Sequence, residues 1–284
     1  MEKIRSLAQT GFDELFAAFR EAFKDYDIQL HKHELEIMLS RRGFVPELSF
    51  GAFYNEKLVS FTLNGIGTFN GICTAYDTGT GTVEAFRGKG LASHIFQHSI
   101  PELKNAGIRQ YLLEVLQHNT KAVSVYQKMG FKVNREFNYF VEKAENIRPR
   151  PAGLPDGYQL RPVGLELKEQ MSALHDFVPS WQNSFESVAR RMNDFVIRGV
   201  FAENTLIGYC IFEPDSGDIT QLAVAQAHRN RGIAGCLIRE AISINKHPNL
   251  KLINTDVSQE DVTRWAASIG LTLRGQQFEM SREI

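Results

Sequence analysis

The spacing of hydrophobic positions along the chain changes several times, and each change marks an element. Phe12, Leu15, Phe16, Phe19 and Phe23 recur at three- and four-residue intervals, which predicts an amphipathic helix over 11–25. Its aromatic stripe reads as core packing, and Asp25-Tyr26-Asp27 closes it. A second short helix is expected over 34–42, followed by two strands around a hairpin turn at Asn55-Glu56. The stretch 71–83 is rich in Thr and Gly yet alternates enough for a central strand. A helix over 91–106 stops at Gly107, a residue suited to a left-handed cap. A buried strand over 111–115, a helix over 120–129 and a strand over 131–141 complete the first half.

Residues 146–157 hold three prolines and two glycines, which block both helix and ladder pairing and predict a linker. Beyond it the order begins again. Helices are expected near 164–177 and 184–193, strands over 195–213 and 218–225, a helix to about 245, then strand, helix and strand. Gly51-Ala52-Phe53 and Leu58-Val59-Ser60-Phe61 match Gly199-Val200-Phe201 and Leu206-Ile207-Gly208-Tyr209 at one constant offset. The pattern of Arg87, Gly90 and Ala92 returns as Arg229, Gly232 and Ala234. Repetition at half-chain length means two copies of one domain, expected at 1–147 and 148–284.

The repeated turn carries candidate chemistry. Arg87-Gly88-Lys89-Gly90 lies between an apolar strand and a helix that opens with Leu91 and Ala92. Unpaired N–H groups and the positive dipole end at a helix N-terminus attract anions, and glycine lets the backbone approach them closely. Composition narrows the partners. A net charge of −1 argues against a general nucleic-acid binder. Three scattered cysteines, Cys73, Cys210 and Cys236, suit a reducing compartment and form neither a disulfide framework nor a zinc site. Residues 1–25 are charged throughout, and no run approaches ~20 apolar residues. The expectation is a cytoplasmic protein without membrane or nucleic-acid partners.

Two motifs together resemble the GNAT superfamily of acetyl-CoA-dependent N-acetyltransferases. One is Arg87-x-x-Gly90-x-Ala92; the other is Asn119-x-x-Ala122-x-x-x-Tyr126-x-x-x-Gly130-Phe131. The resemblance implies an α/β fold of two tandem GNAT-like domains, each a mixed, mostly antiparallel central sheet flanked by helices. It implies acetyl-CoA as co-substrate, no metal, and an amine acceptor on a small molecule or peptide, with the protein a monomer or homodimer. By the same resemblance Gly88, Lys89, Gly90, Leu91 and Ala92 cradle the pyrophosphate, with Arg87 and Lys89 adding charge. The Thr82-Val83 backbone pairs with the pantetheine arm, and Asn119 bonds it, caps the following helix, or does both. Tyr126 stands as general acid for the leaving thiolate. Asp77 is the candidate general base, with Glu84 and Glu114 as alternatives.

The second copy keeps the basic turn but not the helix motif. Ala266 stands opposite Tyr126, Gln259 opposite Asn119 and Leu271 opposite Phe131. Catalysis is therefore expected in the first copy, with the second mainly structural. Two further readings stay open from the sequence: a coenzyme A-binding module without turnover, and an enzyme that uses a longer acyl donor.

Overall fold

The computed structural model describes residues 2–25, 29–149 and 153–284; Tyr26 and Asp27 of the helix-to-helix loop lie outside them. The elements in chain order are β1 (Lys3–Ser6), α1 (Phe12–Ala22), α2 (Lys32–Arg42), β2 (Phe50–Tyr54), β3 (Lys57–Phe69), β4 (Ile72–Thr82), α3 (Leu91–Asn105), β5 (Gln110–Leu116), α4 (Thr120–Lys128) and β6 (Lys132–Lys143). They continue as β7 (Tyr158–Pro162), α5 (Lys168–Ser172), α6 (Phe185–Arg190), β8 (Val196–Ala202), β9 (Thr205–Glu213), β10 (Asp218–Val224), α7 (Ile233–Ile244), β11 (Asn249–Asp256), α8 (Glu260–Ser268) and β12 (Leu273–Glu283).

Two compact units form, Met1–Asn134 with Glu279–Ile284, and Arg135–Phe278. The cuts fall within β6 and β12 instead of in the proline-rich stretch after 146. The cause is strand pairing. From Phe137 onward β6 is laddered to β11, so it belongs with the second unit. At the other end, the Ile284 N–H donates to the Arg109 carbonyl at 3.0 Å, which ties the chain's last residues into the first unit.

In the first unit the strand order is β1-β2-β3-β4-β5, antiparallel except for the parallel pair β4–β5. The hairpin between β2 and β3 turns at Asn55 and Glu56, with φ of 48° and 60°. One face of the sheet buries Phe61 and Leu63 against Leu15, Phe19, Leu35 and Leu39 of α1 and α2. On the other, Leu91 and Ile95 of α3 pack on Phe50, Ala52 and Val59. Residues of one face recur every second position along a strand. Ser60, Thr62 and Asn64 therefore lie on the side opposite Phe61 and Leu63.

The second unit repeats the plan with β7-β8-β9-β10-β11-β6, again with one parallel pair, β10–β11. The helix expected over 164–177 shrinks to a 3-10 turn followed by the five residues of α5. The chain leaves the helix where His175 turns inward to bond the buried Tyr209. The helix expected over 184–193 is α6, capped by the Ser184 hydroxyl, which accepts from the Ser187 N–H at 3.1 Å. Among the described residues no helix is long and apolar enough to cross a membrane.

Candidate active site

Strand β4 decides where chemistry can occur. Its ladder with β3 runs the full length of β4, from Phe69↔Ile72 to Ser60↔Thr82, and the Val83 N–H still donates to the Val59 carbonyl at 2.9 Å. Its parallel pairing with β5 covers only Thr74 to Asp77. From Thr78 onward the two strands have parted, so the open edge spans Thr78 to Thr82 and is longer than the Thr82-Val83 step expected from the sequence. Gly79 and Gly81 lie along it. A Cβ at Gly81 would come within 2.6 Å of Phe61 and 2.9 Å of Ala22, so only glycine fits there without displacing α1.

A cavity of about 470 Å³ opens beside this edge. Thr62, Asp77, Thr80 and Thr82 give it a polar wall; Phe96, Val125 and Met129 give it an apolar one. Arg87, Ala92, Lys121 and Tyr126 also line it. This volume is in the range of small-molecule sites. No group of histidine, cysteine and carboxylate side chains that could hold a metal occurs among the described residues.

Asp77 and Tyr126 meet in this cavity. The Tyr126 hydroxyl donates to Asp77 Oδ2 at 3.1 Å, across 49 residues of sequence. The Thr80 hydroxyl donates to the same oxygen at 2.7 Å, and the Gly79 N–H donates to Oδ1 at 2.9 Å. Burial raises the Asp77 carboxyl above the ordinary aspartate range; the bonds from Thr80, Tyr126 and Gly79 and the charge of Arg42 oppose it. The Tyr126 ring is held edge-on to Phe131, with centroids 5.7 Å apart. The alternatives for the base lie elsewhere. Glu84 pairs with Lys24 at 2.5 Å, and neither Glu84 nor Glu114 lines the cavity.

The turn after β4 has the expected backbone. Gly88 and Gly90 adopt φ of 77° and 75°, the left-handed region that glycine enters without strain, and Gly90 is the N-cap of α3. The first N–H groups of α3, from Leu91 onward, therefore point out of the helix start. Arg87 is engaged more deeply than its sequence context suggested. It donates to Asp25 Oδ2 at 2.8 Å, to the Ala22 carbonyl at 2.9 Å and to the Thr82 carbonyl at 3.3 Å. Lys89 rests over the Phe86 ring at 4.5 Å. Asn119 caps α4, its Oδ1 accepting from the Ala122 N–H at 3.2 Å, and lies outside the cavity lining. Gly130, at φ 87°, ends α4 as expected.

Register makes the comparison with the second unit residue by residue. Both β4 and β10 carry a bulge, between Leu63 and Asn64 of the partner strand in one and at Ile219/Gln221 in the other. Counting from the bulge places Ile219 where Asp77 stands and Leu222 where Thr80 stands. The Leu271 N–H donates to the Ala266 carbonyl as the Phe131 N–H does to Tyr126, so Ala266 is the equivalent of Tyr126. Gln259 gives α8 no side-chain cap. The arginine tether does survive. Arg229 donates to the Val224 carbonyl at 3.0 Å and to both oxygens of Asp176, at 2.7 and 2.6 Å.

The second unit also fills the space where its strands part. The Gln221 amide donates to the Asn183 carbonyl at 2.5 Å, and the Asn183 amide donates to the Ile253 carbonyl on β11 at 2.8 Å. Neighbouring Trp181 is 2% exposed. Gln221 occupies the position of Gly79, so a side chain and a chain segment stand where the first unit is open.

Sequence reasoning missed Thr62 and Thr80 as members of the site. The signal was present in the Thr-Gly-Thr-Gly run after Asp77, but a bulge decides which of its residues share a face, and bulges are not legible in composition.

Residues 11–131 and 165–269 match the Acetyltransferase (GNAT) family. A 105-residue stretch is 28% identical to N-alpha-acetyltransferase 30 of Schizosaccharomyces pombe, covering 36% of this chain and 70% of that protein. N-alpha-acetyltransferase MAK3 of Arabidopsis thaliana is 25% identical over 104 residues, covering 36% of this chain and 55% of the relative. Among solved structures, a tandem GNAT protein from the clavulanic acid biosynthesis pathway superposes with a TM-score of 0.73, at 12% identity, covering 100% of this chain and 98% of that one. At that identity the likeness concerns the fold. The two family matches fall one on each sequence copy and together take in most of the chain, and the protein accordingly belongs to the GNAT acetyltransferase family, in tandem form.

Proposed function

We propose that the first unit carries the single catalytic centre and moves an acetyl group from acetyl-CoA to a primary amine of a small molecule or peptide. The observation that carries this reading is the Tyr126–Asp77 hydrogen bond in a cavity beside the open edge of β4. Acetyl-CoA supplies the acetyl group as a thioester. Beyond Asp77 no residue of β5 pairs with β4, so this edge offers main-chain groups to an extended arm as a sheet edge does to an added strand. The Gly79 N–H and the Thr78, Gly81 and Thr82 carbonyls already have partners in Asp77, Arg42, Ser60 and Arg87. The turn from Gly88 to Ala92 offers N–H groups to the pyrophosphate, and Arg87 keeps that turn attached to the end of α1.

The proton steps fall to Asp77 and Tyr126. An ammonium acceptor must lose a proton before its nitrogen can attack, and a carboxylate with a raised pKa is the stronger base for that step. Departing sulfur needs a proton, which the Tyr126 hydroxyl delivers. Tyr126 is then refilled from Asp77, its hydrogen-bond partner. The C–S bond breaks as the C–N bond forms. Of the two protons the ammonium gives up, one ends on the thiol and the other reaches solvent. In the second unit Ile219, Leu222 and Ala266 provide none of these groups, and Asn183 occupies the cleft, which supports one centre and not two.

The test is thiol release from acetyl-CoA against a panel of amino acids, polyamines, aminoglycosides and peptides, followed by Asp77→Asn with the best acceptor. Asp77→Asn is expected to lower kcat by ~10²-fold or more, the usual scale for a lost general base. Wild-type turnover and an unchanged pH profile in a folded Asp77→Asn variant would remove Asp77 from the mechanism.

A further inference from the structure

We propose that Thr80 is a positioning residue of this site, its hydroxyl holding the Asp77 carboxylate in the orientation that reaches Tyr126. The proposal rests on the roles of Asp77 and Tyr126 given above and adds a residue to them. In a regular strand, residues three apart face opposite sides of the sheet. The bulge at Thr78 takes up one extra residue, so Asn64↔Asp77, Thr62↔Thr80 and Ser60↔Thr82 become successive pairs on one face. That shift brings the Thr80 hydroxyl to 2.7 Å from Asp77 Oδ2.

The direction of each bond follows from the donor inventory. An ionised carboxylate only accepts, so the single Thr80 proton goes to Asp77. Thr62 offers that proton a second acceptor at 3.2 Å, but the charged Asp77 oxygen at 2.7 Å is the nearer and stronger one. Oδ2 therefore receives Thr80 and Tyr126 together, while the Gly79 N–H fixes Oδ1. With both oxygens bonded, the carboxylate plane cannot turn away from Tyr126.

The second unit separates this role from a purely architectural one. Strand β10 makes the same bulge with Leu222 at the place of Thr80 and Cys210 at that of Thr62. The bulge thus forms without hydroxyls at these two positions, while the bulged residue itself is a threonine in both units, Thr78 and Thr220. The hydroxyl pair is found in the unit that has Asp77 and Tyr126, and is missing from the one that has Ile219 and Ala266.

Several charged or titratable groups surround Asp77. Arg42 of α2 lowers its pKa; Tyr126 of α4 bonds it; Tyr111 of β5 and Tyr76 of its own strand feel its charge. Asp25, Arg87 and Lys121 line the same cavity. Against burial, which pushes the carboxyl up, the bond from Thr80 is the largest opposing influence. Its removal shifts the balance toward the protonated, inactive carboxyl.

The experiment is kcat/KM against pH for the full chain, with acetyl-CoA and the best amine from the panel, in Thr80→Val, Thr80→Ala and Thr80→Ser. The valine and alanine variants are expected to move the acidic limb upward by about one pH unit, a tenfold change in the ionised fraction along that limb. Thr80→Ser is expected to restore the wild-type limb. The acetyl-CoA dissociation constant is expected to stay within twofold in all three. An acidic limb that stays in place in folded Thr80→Val and Thr80→Ala overturns the proposal, as does a serine variant that behaves like valine. Failure of the underlying reading looks different: Asp77→Asn would then keep the acidic limb, whatever Thr80 does.

Discussion

Tyr126→Phe separates proton donation from everything else Tyr126 does. The ring stays in its edge-on contact with Phe131, 5.7 Å between centroids, because phenylalanine has the same carbon skeleton. What is lost is one O–H and its 3.1 Å bond to Asp77 Oδ2. A hydrogen bond of this kind, on a half-exposed helix, contributes about 1 kcal/mol to stability, so the variant remains folded. Asp77 keeps the Thr80 and Gly79 donors. Cofactor affinity is expected to hold within a few-fold, since the open edge of β4 and the turn before α3 are untouched. Turnover is another matter. Loss of a general acid costs ~10²-fold or more, which is about 2.7 kcal/mol in the barrier. The assay is steady-state thiol release measured on the pH plateau, beside a binding isotherm for acetyl-CoA. Measuring on the plateau matters because removing a donor to Asp77 also moves the acidic limb. Equal plateau turnover in Tyr126→Phe and wild type would refute the general-acid role and leave Tyr126 as a packing partner of Asp77 and Phe131.

Three further expectations follow from the repeated tether and from the second unit's interior. Arg229→Ala, which removes the bonds to Asp176 and the Val224 carbonyl, is expected to lower the melting temperature while leaving turnover unchanged. Arg87→Ala is expected to lower stability and also to weaken acetyl-CoA binding, because it frees the turn at Gly88–Gly90. Paired thermal melts and isotherms check both, and lost turnover in a folded Arg229→Ala variant would contradict a single centre. His175, stacked on Phe185 and bonded to Tyr209, has its imidazole pKa pushed down by burial. The unfolded chain therefore binds a proton that the folded chain resists, so stability is full above the unfolded value of about 6.5 and falls as pH drops below it. Thermal melts between pH 7.5 and 5.5 are expected to fall more steeply in wild type than in His175→Gln; parallel slopes would exclude His175 as the cause.

Much of this protein is written in local sequence. Periodicity set the helices at 12–22 and 91–105, because an apolar face recurring every three to four residues has one stable solution against a sheet. Asn55-Glu56 marked the hairpin, and Gly90 and Gly232 marked the turns, because only a few residues enter left-handed backbone readily. The two copies were visible from Arg87, Gly90 and Ala92 against Arg229, Gly232 and Ala234, and so was the loss of Tyr126 at Ala266. These features depend on residues close together in the chain.

Tertiary structure decided the rest, wherever the deciding partner lies far along the sequence. The Tyr126–Asp77 bond joins residues 49 apart, and of the three carboxylates Asp77, Glu84 and Glu114 the fold brings Asp77 alone to the cavity wall. The bulge at Thr78 turns Thr80 to the Asp77 face, a one-residue change of register that composition does not encode. Arg87 reads in sequence as a phosphate-binding charge, yet its partners are Asp25 and the Ala22 carbonyl, brought to it by the packing of α1, and the Thr82 carbonyl at the end of β4. The unit boundaries moved from the proline-rich segment into β6 and β12 for the same reason: strand pairing joins residues by hydrogen bonds across the sheet, and no local signal announces which partner a strand will take.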